Sequence, residues 1–472
     1  MDSRKSGSGP LTGVSFSRLL AGVAFLALSH AGPVAAETMS SALARAYRNN
    51  PDINQQRAAV RARDESIPAA KSGWLPKASI QAQSGHQGTE IAGYPGAIGQ
   101  LRYSANPGQV AATVSQTLFD GQRTANGVSQ AESAVLAQRE ALRQQEIATL
   151  QSGATAYMDV LRDTAVLGLR RSNIKVLQVQ LQQTQDRFQV GEVTRTDVAQ
   201  AESALAGARA DFAAAQANLE NSIASFRRQI GVDPKNLAPA QPVERLLPKT
   251  VDTAIATGLE EHPSITGALH QVDAYEAAVK VAEGALLPTV GVQGSVSRSA
   301  DTSGQPGYNI NSASVMGVLN VPLYQGGQEY AAVRQAKEQL GQARLAVDSA
   351  RIAVRSGISS SWGQLQASKA AIVAYEAAVK AAEVALNGVR EEAKVGQRTT
   401  LDVLNAQQSL LNTRVQLVSA QHDRVVASYT VLAQIGRLSA DTLGLDAPAY
   451  DPNDHYERTK NRFIGLSAPD GG

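Results

Sequence analysis

The chain has 472 residues and a formal charge of +2, and it is 43% hydrophobic but only 4% aromatic. This near-neutral charge gives no general attraction to nucleic acid, and the absence of cysteine excludes disulfides, thiolate metal sites and a lipid-modified N-terminal cysteine. Because so few bulky side chains accompany so much alanine, glutamine, serine and valine, the composition favours long, thin helices over a thick globular core.

The first segment of the chain has the features of an export peptide. Basic residues precede an apolar run at 19–28, and small residues, ending with Ala36, precede a cleavage site. A membrane anchor is the alternative, but the run is shorter than the roughly 20 residues that a helix needs to cross a bilayer. We therefore predict a signal peptide at 1–36 and an exported protein that is either periplasmic or a β-type outer-membrane protein.

The rest of the chain contains an internal duplication. VGEVTRTDV at 190–198 recurs as VGQRTTLDV at 395–403, and motifs before and after them repeat in the same order. We therefore predict two copies of one structural unit, at 37–245 and 246–445. A polar, proline-containing tail at 446–472 is expected either to pack around the middle of the molecule or to remain disordered.

Each copy is expected to begin with helices, and its pattern then predicts a pair of strands. Apolar and polar residues alternate after Pro76 and Pro288, and again before Gly121 and Gly326. Strands of about ten residues with one apolar and one polar face are what a membrane barrel with a water-filled lumen requires. A soluble hairpin is the alternative.

Aromatic residues favour a membrane barrel over a soluble hairpin. Trp74, Phe119 and Tyr324 lie at the helix–strand junctions, where such side chains would meet a membrane interface. Between the strands, the glycine- and proline-rich segments GTEIAGYPGAIGQ and DTSGQPGYN predict exposed loops.

Each copy then predicts a long helical hairpin. No proline interrupts 122–232 or 326–437, and the apolar residues from Ile147 to Leu161 are spaced three and four apart, as in a coiled-coil seam. A helix over 122–189 would be roughly 100 Å long at 1.5 Å per residue. No compact domain could contain it.

Four strands per chain cannot close a barrel by themselves. An open sheet edge in lipid leaves unpaired backbone groups that each cost several kcal/mol. The chain is therefore expected to form an oligomer, and two, three or four copies would all give an allowed even number of strands.

The order of these features resembles the TolC family of outer-membrane efflux and secretion channels. The resemblance covers about 37–440, and it includes ETMSSALARAYRNNP near the start, LFDG at 118–121, LYQG at 323–326 and the two VG turns. It implies a mainly α, internally duplicated homotrimer with four β-strands per chain. In that fold a 12-stranded membrane β-barrel continues into a long α-helical coiled-coil barrel.

The resemblance also implies a function and partners. Such a channel is the exit duct of a tripartite efflux pump or a type I protein secretion system, held in outer-membrane lipid and extending far into the periplasm. A periplasmic adaptor (membrane fusion protein) and an inner-membrane ABC or RND transporter would open it. No cofactor, metal or nucleic acid is expected, and the cargo stays open between drugs, proteins and polysaccharide.

The VG turns mark where each helical hairpin reverses. Glycine there can adopt the left-handed conformation that ends one helix, and a threonine can cap the next helix with an aspartate three residues later. The two sets are Gly191, Thr194 and Asp197, and Gly396, Thr399 and Asp402.

In the resembled family, the second turn lines a periplasmic aperture that two aspartates and an arginine control. Asp402 and Arg398 match the first aspartate and the arginine, whereas Asn405 replaces the second aspartate and Ala393 replaces an aromatic residue. Three converging Asp402 side chains would repel one another and favour bound cations or Arg398 as partners. Asp197 is the corresponding aspartate of the first turn.

The same turns are expected to form the surface that meets an adaptor. These residues are Val190, Gly191, Thr194, Val395, Gly396 and Thr399.

Two other classes of protein compete with a channel. An enzyme is disfavoured because His86, His262, His270 and His422 are scattered without metal-ligand spacing and no P-loop or GxSxG motif is present. A periplasmic coiled-coil adaptor or structural protein of an envelope transport complex is the remaining alternative. An adaptor would carry one helical hairpin inserted into a β-domain, not two hairpins that each follow a strand pair.

Overall fold

The computed structural model describes residues 36–91, 101–301 and 307–468. The predicted signal peptide lies outside the described residues except for its last position, and so do the centres of both predicted strand-connecting loops.

Among the helices of the described ranges, none is both long enough and apolar enough to cross a membrane.

The same order of elements occurs twice along the chain. The first half contains α1 (Met39–Asn49), α2 (Pro51–Asp64), α3 (Ser66–Lys71), β1 (Lys77–Ser84), β2 (Gln87–Ile91), β3 (Leu101–Ala105), β4 (Gly108–Phe119), α4 (Arg123–Gln189) and α5 (Arg195–Ile230). The second half contains α6 (Val251–Glu261), α7 (Pro263–Gly284), β5 (Thr289–Ala300), β6 (Asn309–Asn320), α8 (Gln328–Lys394) and α9 (Thr400–Ile435), and the tail adds α10 (Pro452–Thr459). Short helices, a strand pair and a long helical hairpin thus follow one another in both halves.

The predicted long helices are confirmed. Helices α4 and α8 each have 67 residues, and their partners α5 and α9 each have 36. At 1.5 Å per residue, the longer helices extend for roughly 100 Å. The returning helices are followed directly by Gly231 and Gly436, which have φ of 89° and 88° and so take the left-handed conformation that favours glycine at a helix end.

The strands form one four-stranded antiparallel sheet in the order β1-β4-β5-β6. This arrangement confirms the four predicted strands and places the strand pairs of the two halves side by side. A separate antiparallel hairpin, β2–β3, extends the connection between β1 and β4.

The loop prediction was wrong at the start of GTEIAGYPGAIGQ. Residues 88–91 pair with 101–104, and Arg102 lies 3.0 Å from Glu90 across the hairpin. The glycines and proline that suggested a loop are concentrated in 92–100, outside the described residues. The β-branched residues on the flank and the cross-strand ion pair are consistent with strand pairing there.

The largest apolar core lies where the two halves meet. Leu43 of α1, Tyr157 of α4, Phe226 of α5 and Leu432 of α9 are all buried in one cluster. A second cluster joins α6, α7, α8 and another face of α9. Because α9 contributes to both clusters, it holds the first helical hairpin against the second.

The C-terminal tail packs against helices as far as it is described, which decides between the two alternatives for residues 446–468. Helix α10 lies against α2, where the His455 imidazole Nδ1 is 2.9 Å from the Asp64 carboxylate and both side chains are buried. Tyr456 packs with Ile67 and Val135, so the tail binds α2, α3 and α4 together.

Candidate channel wall and aperture

The four-stranded sheet has one apolar and one polar face, as the alternating sequence predicted. The strand register aligns Ala78, Val114, Gly294 and Val315 in one row of the apolar face, and Ser79, Thr113, Ser295 and Ser314 in the next row, on the polar face. On the apolar face Ile80 is 79% exposed and Val315 is 81% exposed. Large exposed apolar patches mark a surface that meets a membrane or another protein.

Hydrogen bonds between side chains cross the polar face from strand to strand. The hydroxyl oxygens of Ser79 and Thr113 are 2.8 Å apart, and those of Ser295 and Ser314 are 2.9 Å apart. Such a hydroxyl-lined face suits contact with water, while the opposite face suits contact with lipid.

Two residues depart from the alternation of apolar and polar side chains on the sheet. Met316 lies on the polar face, opposite Gln293, and Gln116 lies on the apolar face, opposite Val292. The Gln116 amide donates a hydrogen bond of 2.7 Å to the Trp74 carbonyl oxygen, which satisfies this polar group at the end of the sheet.

A β-bulge brings one of the predicted interface aromatics to the apolar face of the sheet. The register of β4 shifts between Thr117 and Phe119, so that Phe119 lies opposite Val290 and joins the apolar face. Sequence reasoning missed this bulge, although the consecutive apolar residues Leu118 and Phe119 break the alternation and were its only signal.

The other interface aromatics lie at the same end of the sheet. Trp74 ends a short 3₁₀ turn directly before β1, and Tyr324 follows β6. Both side chains are exposed, Trp74 by 50% and Tyr324 by 78%.

The two outer strands of the sheet have free edges in the part of the chain that the structure describes. Strand β1 pairs only with β4, and the twelve-residue strand β6 pairs only with β5. Each free edge presents backbone N–H and C=O groups that could pair with a strand of another molecule.

At the opposite end of the long helices, both VG turns have the geometry that the sequence predicted. Gly191 and Gly396 each have φ of 79°. In the first turn the Glu192 amide donates to the Arg187 carbonyl oxygen at 2.9 Å, which satisfies a helix-end acceptor. The equivalent bond in the second turn joins residues 397 and 392, also at 2.9 Å.

A reciprocal capping box begins each returning helix. The Thr399 amide donates to the Asp402 carboxylate at 2.9 Å, and the Asp402 amide donates to the Thr399 hydroxyl at 3.2 Å. Thr194 and Asp197 make the same pair of bonds at 2.8 and 3.3 Å. The predicted caps are therefore confirmed.

These bonds also set the charge state of the two aspartates. The backbone amide and hydroxyl of Thr399 lower the pKa of Asp402, and the hydroxyl and amide of Thr194 lower the pKa of Asp197. Both carboxylates are stabilised as anions at the positive ends of their helices.

The ion pairs at the two turns were not predicted. The Arg398 Nε lies 2.8 Å from a carboxylate oxygen of Glu392, and this contact raises the pKa of Arg398, with Asp402 as a further, weaker cause. In the first turn Arg187 pairs with Glu192 at 2.9 Å. Arg398 is thus held mainly by Glu392; the position of Glu392 across the turn was the available signal.

The tips of the turns expose apolar side chains. Val190 is 72% exposed and Val395 is 71% exposed. Asn405 lies exposed one helical turn after Asp402 on α9, and Ala393 is half-buried near the end of α8.

A groove of about 690 Å³ beside these tips shows that the two turns lie at the same end of the molecule. Arg187 near the first turn and Lys394 near the second both line it. Its charged lining is mainly basic, since Lys175 and Arg390 join those two and Glu391 is the single acidic member.

Polar contacts tie the second hairpin to the first along the helices. Near the groove, Gln407 of α9 donates to Asn173 of α4 at 3.4 Å and accepts from Arg390 of α8 at 3.0 Å. These bonds join three long helices close to the turns.

Farther from the turns, His422 of α9 lies between two carboxylates. Its imidazole nitrogens are 3.0 Å from Asp159 of α4 and 2.8 Å from Asp423 of α9. Burial opposes protonation, but the bonds to both aspartates outweigh it and raise the pKa of His422. This network, which also includes Arg162 and Asp163, was missed because its members lie far apart in the chain.

No group of three or more histidine, aspartate or glutamate side chains could hold a metal ion among the residues that the structure describes. His262 accepts a hydrogen bond from the Ser264 amide and so caps helix α7. His86 is within 2.9 Å of Asn106.

Comparison with known proteins defines the class. The family model described as "Outer membrane efflux protein" matches residues 42–232 and 254–437, the two halves of the chain. The chain is 42% identical over 435 residues to the outer membrane efflux protein BepC of Brucella suis biovar 1 (strain 1330), covering 92% of this chain and 93% of that protein. It is 28% identical to the outer membrane protein TolC of Salmonella enteritidis, with coverage of 88% and 86%.

A solved structure confirms the fold. The Campylobacter jejuni CmeC outer membrane channel superimposes with a TM-score of 0.73 at 16% identity, covering 89% of each chain. A two-faced sheet continued by helices roughly 100 Å long thus defines an outer-membrane channel with a long periplasmic extension. The chain belongs to the outer membrane efflux protein family, and the resemblance predicted from the sequence is confirmed.

Proposed function

We propose that three copies of this chain form the outer-membrane exit duct of a tripartite efflux pump or a type I secretion system. The observation that carries this proposal is the sheet with one apolar face, one hydroxyl-lined face and two free edges. Three sheets of four strands would close a 12-stranded barrel by pairing β6 of one copy with β1 of the next, which leaves no open edge in lipid.

The proposed mature chain begins after a signal peptide at 1–36 and contains two structural repeats, 37–245 and 246–445. In the closed assembly the apolar face would contact outer-membrane lipid and the polar face would line the lumen. Trp74, Phe119 and Tyr324 would mark the inner boundary of the membrane, since aromatic side chains concentrate at such interfaces.

The turns at the other end would form the periplasmic aperture. Asp402, Asn405 and Arg398 of the second turn, with Asp197 of the first, would surround the constriction. Because Arg398 is paired with Glu392 in its own chain, closure would depend on this pair as well as on contacts between copies.

A periplasmic adaptor would bind at the same end. The exposed valines at the tips offer apolar contacts, and Gly191, Thr194, Gly396 and Thr399 hold the backbone that carries them. The basic groove beside the tips would suit an adaptor segment with acidic side chains. An inner-membrane ABC or RND transporter would supply the energy, and the chain itself would catalyse no reaction.

Gene deletion tests this function. Loss of the protein should increase susceptibility to several unrelated drugs, or decrease extracellular protein, and expression of the intact chain should restore the lost activity. If neither drug susceptibility nor extracellular protein changed, an exit-duct function would be contradicted.

Cell fractionation tests the remaining alternative. A channel should appear in the outer membrane as heat-resistant oligomers, whereas a periplasmic adaptor or structural protein would separate from them.

A further inference from the structure

The described part of the C-terminal tail runs along the helices toward the strands. The Ala440 amide donates to Glu146 at 2.8 Å, and Arg139, two helical turns nearer the start of α4, contacts Asn453 at 2.7 Å. Because α4 begins beside the sheet, this order of contacts shows the direction of the tail.

Contacts with the first helices give the same direction. His455 pairs with Asp64 of α2 at 2.9 Å. The Lys71 ammonium at the end of α3 then donates to the Lys460 carbonyl oxygen at 3.2 Å and contacts the Asn461 side chain at 3.3 Å. Residue 461 therefore lies beside the last residue of α3, directly before the 3₁₀ turn that ends at Trp74.

Beyond that point the tail exposes three large apolar side chains. Phe463 is 46% exposed, Ile464 is 91% exposed and Leu466 is fully exposed. Arg462 lies next to them, no acidic residue occurs from 458 to 468, and the nearby Lys460 ammonium pairs with Glu457 at 2.5 Å. A short segment that combines apolar and basic residues suits the boundary between phospholipid head groups and acyl chains.

We propose that residues 461–468 contact the inner leaflet of the outer membrane as a peripheral lipid-binding segment. Phe463, Ile464 and Leu466 insert among the lipids, and Lys71 and Arg462 face lipid phosphates. This inference rests on the proposed position of the helix–strand junction at the membrane interface. Continuity with Trp74 and the local positive charge favour lipid as the occupant over a second copy of the chain.

The absence of native cysteine allows a direct test with single-cysteine variants of the full-length chain. Ile464→Cys is labelled with an environment-sensitive fluorophore and reconstituted into vesicles of phosphatidylethanolamine and phosphatidylglycerol that contain spin-labelled lipid quenchers. Val315→Cys on the apolar sheet face provides the membrane control. Asp446→Cys, earlier in the same tail and exposed, provides the aqueous control.

We expect the labels at 464 and 315 to be quenched at least about twofold more than the label at 446, as lipid contact requires. The additional charge reversal Arg462→Glu should decrease quenching at 464 but not at 315. Loss of the lipid-phosphate contact of Arg462 would explain that difference.

The outcomes distinguish lipid binding by the tail from the proposed position of the sheet in the membrane. Quenching at 315 but not at 464 would overturn lipid binding by the tail and leave the membrane sheet intact. If the label at 464 were instead shielded from both lipid and water-soluble quenchers, contact with a second copy would replace the lipid proposal. Quenching at 464 but not at 315 would support the tail and contradict the proposed position of the sheet.

Discussion

Asp402 combines two effects at one residue. Its carboxylate completes the cap of α9 through Thr399, and this bonding lowers its pKa. In the proposed trimer three such carboxylates would converge, and their repulsion would act in the opposite direction. The cap stabilises the anion within each chain, so negative charge would persist at the aperture.

Asp402→Asn separates the charge from the cap. Asparagine can still accept the Thr399 amide bond, so we expect only a small loss of stability, because the charge that is removed is exposed to solvent near the helix N-terminus. Removal of the charge should increase single-channel conductance in planar bilayers and decrease the affinity for cations.

Thr399→Val is the matched variant, because it removes the capping hydroxyl and retains the carboxylate. It should destabilise the protein by about 1 kcal/mol with a smaller change in cation affinity. Equal cation affinity in wild type and Asp402→Asn would argue against an aperture role for this carboxylate.

Arg398→Ala removes the ion pair with Glu392 and so tests its role in closure. The pair is exposed, so it contributes little to stability, but its loss should release the turn and increase conductance. Arg187→Ala removes the equivalent pair with Glu192 in the first turn and serves as the control. If both variants gave the same conductance as wild type, the second turn would have no special role in closure.

Among the elements, α9 joins the two hairpins, and His422 is its main ionisable contact with α4. The folded protein raises the pKa of His422 above the ordinary value of 6.5. The stabilisation is therefore complete below that value and is lost as the pH rises through the higher pKa of the folded state. Asp159, Asp423 and Arg162 are the charged groups of this network.

His422→Gln should lower the unfolding temperature more at about pH 5.5 than at about pH 8.5, since hydrogen bonds to charged groups contribute about 1.5–3 kcal/mol each. His86→Gln, in an exposed connection after β1, provides the control and should change little at either pH. If the decrease in unfolding temperature of His422→Gln did not vary with pH, the imidazole would act only through packing.

The two faces of the sheet predict opposite tolerance to charge. Val315→Arg, near the middle of β6 on the apolar face, should destabilise membrane insertion by about 2–4 kcal/mol. Ser314→Arg, the adjacent residue on the polar face, should insert normally and change ion selectivity. Comparable insertion of both variants, measured as the yield of heat-resistant oligomer in the outer membrane, would contradict the assignment of the faces.

The sequence predicted the elements that depend on local patterns. Uninterrupted helices, alternating strands and the Thr–Asp caps follow from neighbouring residues, and the structure confirmed them. The bulge at Phe119, the Arg398–Glu392 pair and the His422 network were not predicted because they depend on register or on distant contacts. The β2–β3 hairpin was missed because glycines in the intervening segment dominated the pattern.

At the scale of the whole molecule, one chain provides an incomplete wall. Its four strands have a lipid-compatible face and a water-compatible face, but β1 and β6 each keep one free edge among the described strands. Long helices alone could serve a soluble coiled-coil protein, so the free edges are what make assembly necessary for a channel. The proposed conductance, aperture and lipid contacts all depend on closure between copies.

Native mass spectrometry of the detergent-solubilised protein, performed on the sample used for bilayer conductance, tests this closure most directly. We expect a single species with the mass of three mature chains, and channel activity confined to that species. A monodisperse, water-soluble single chain, or conductance from isolated single chains, would contradict it.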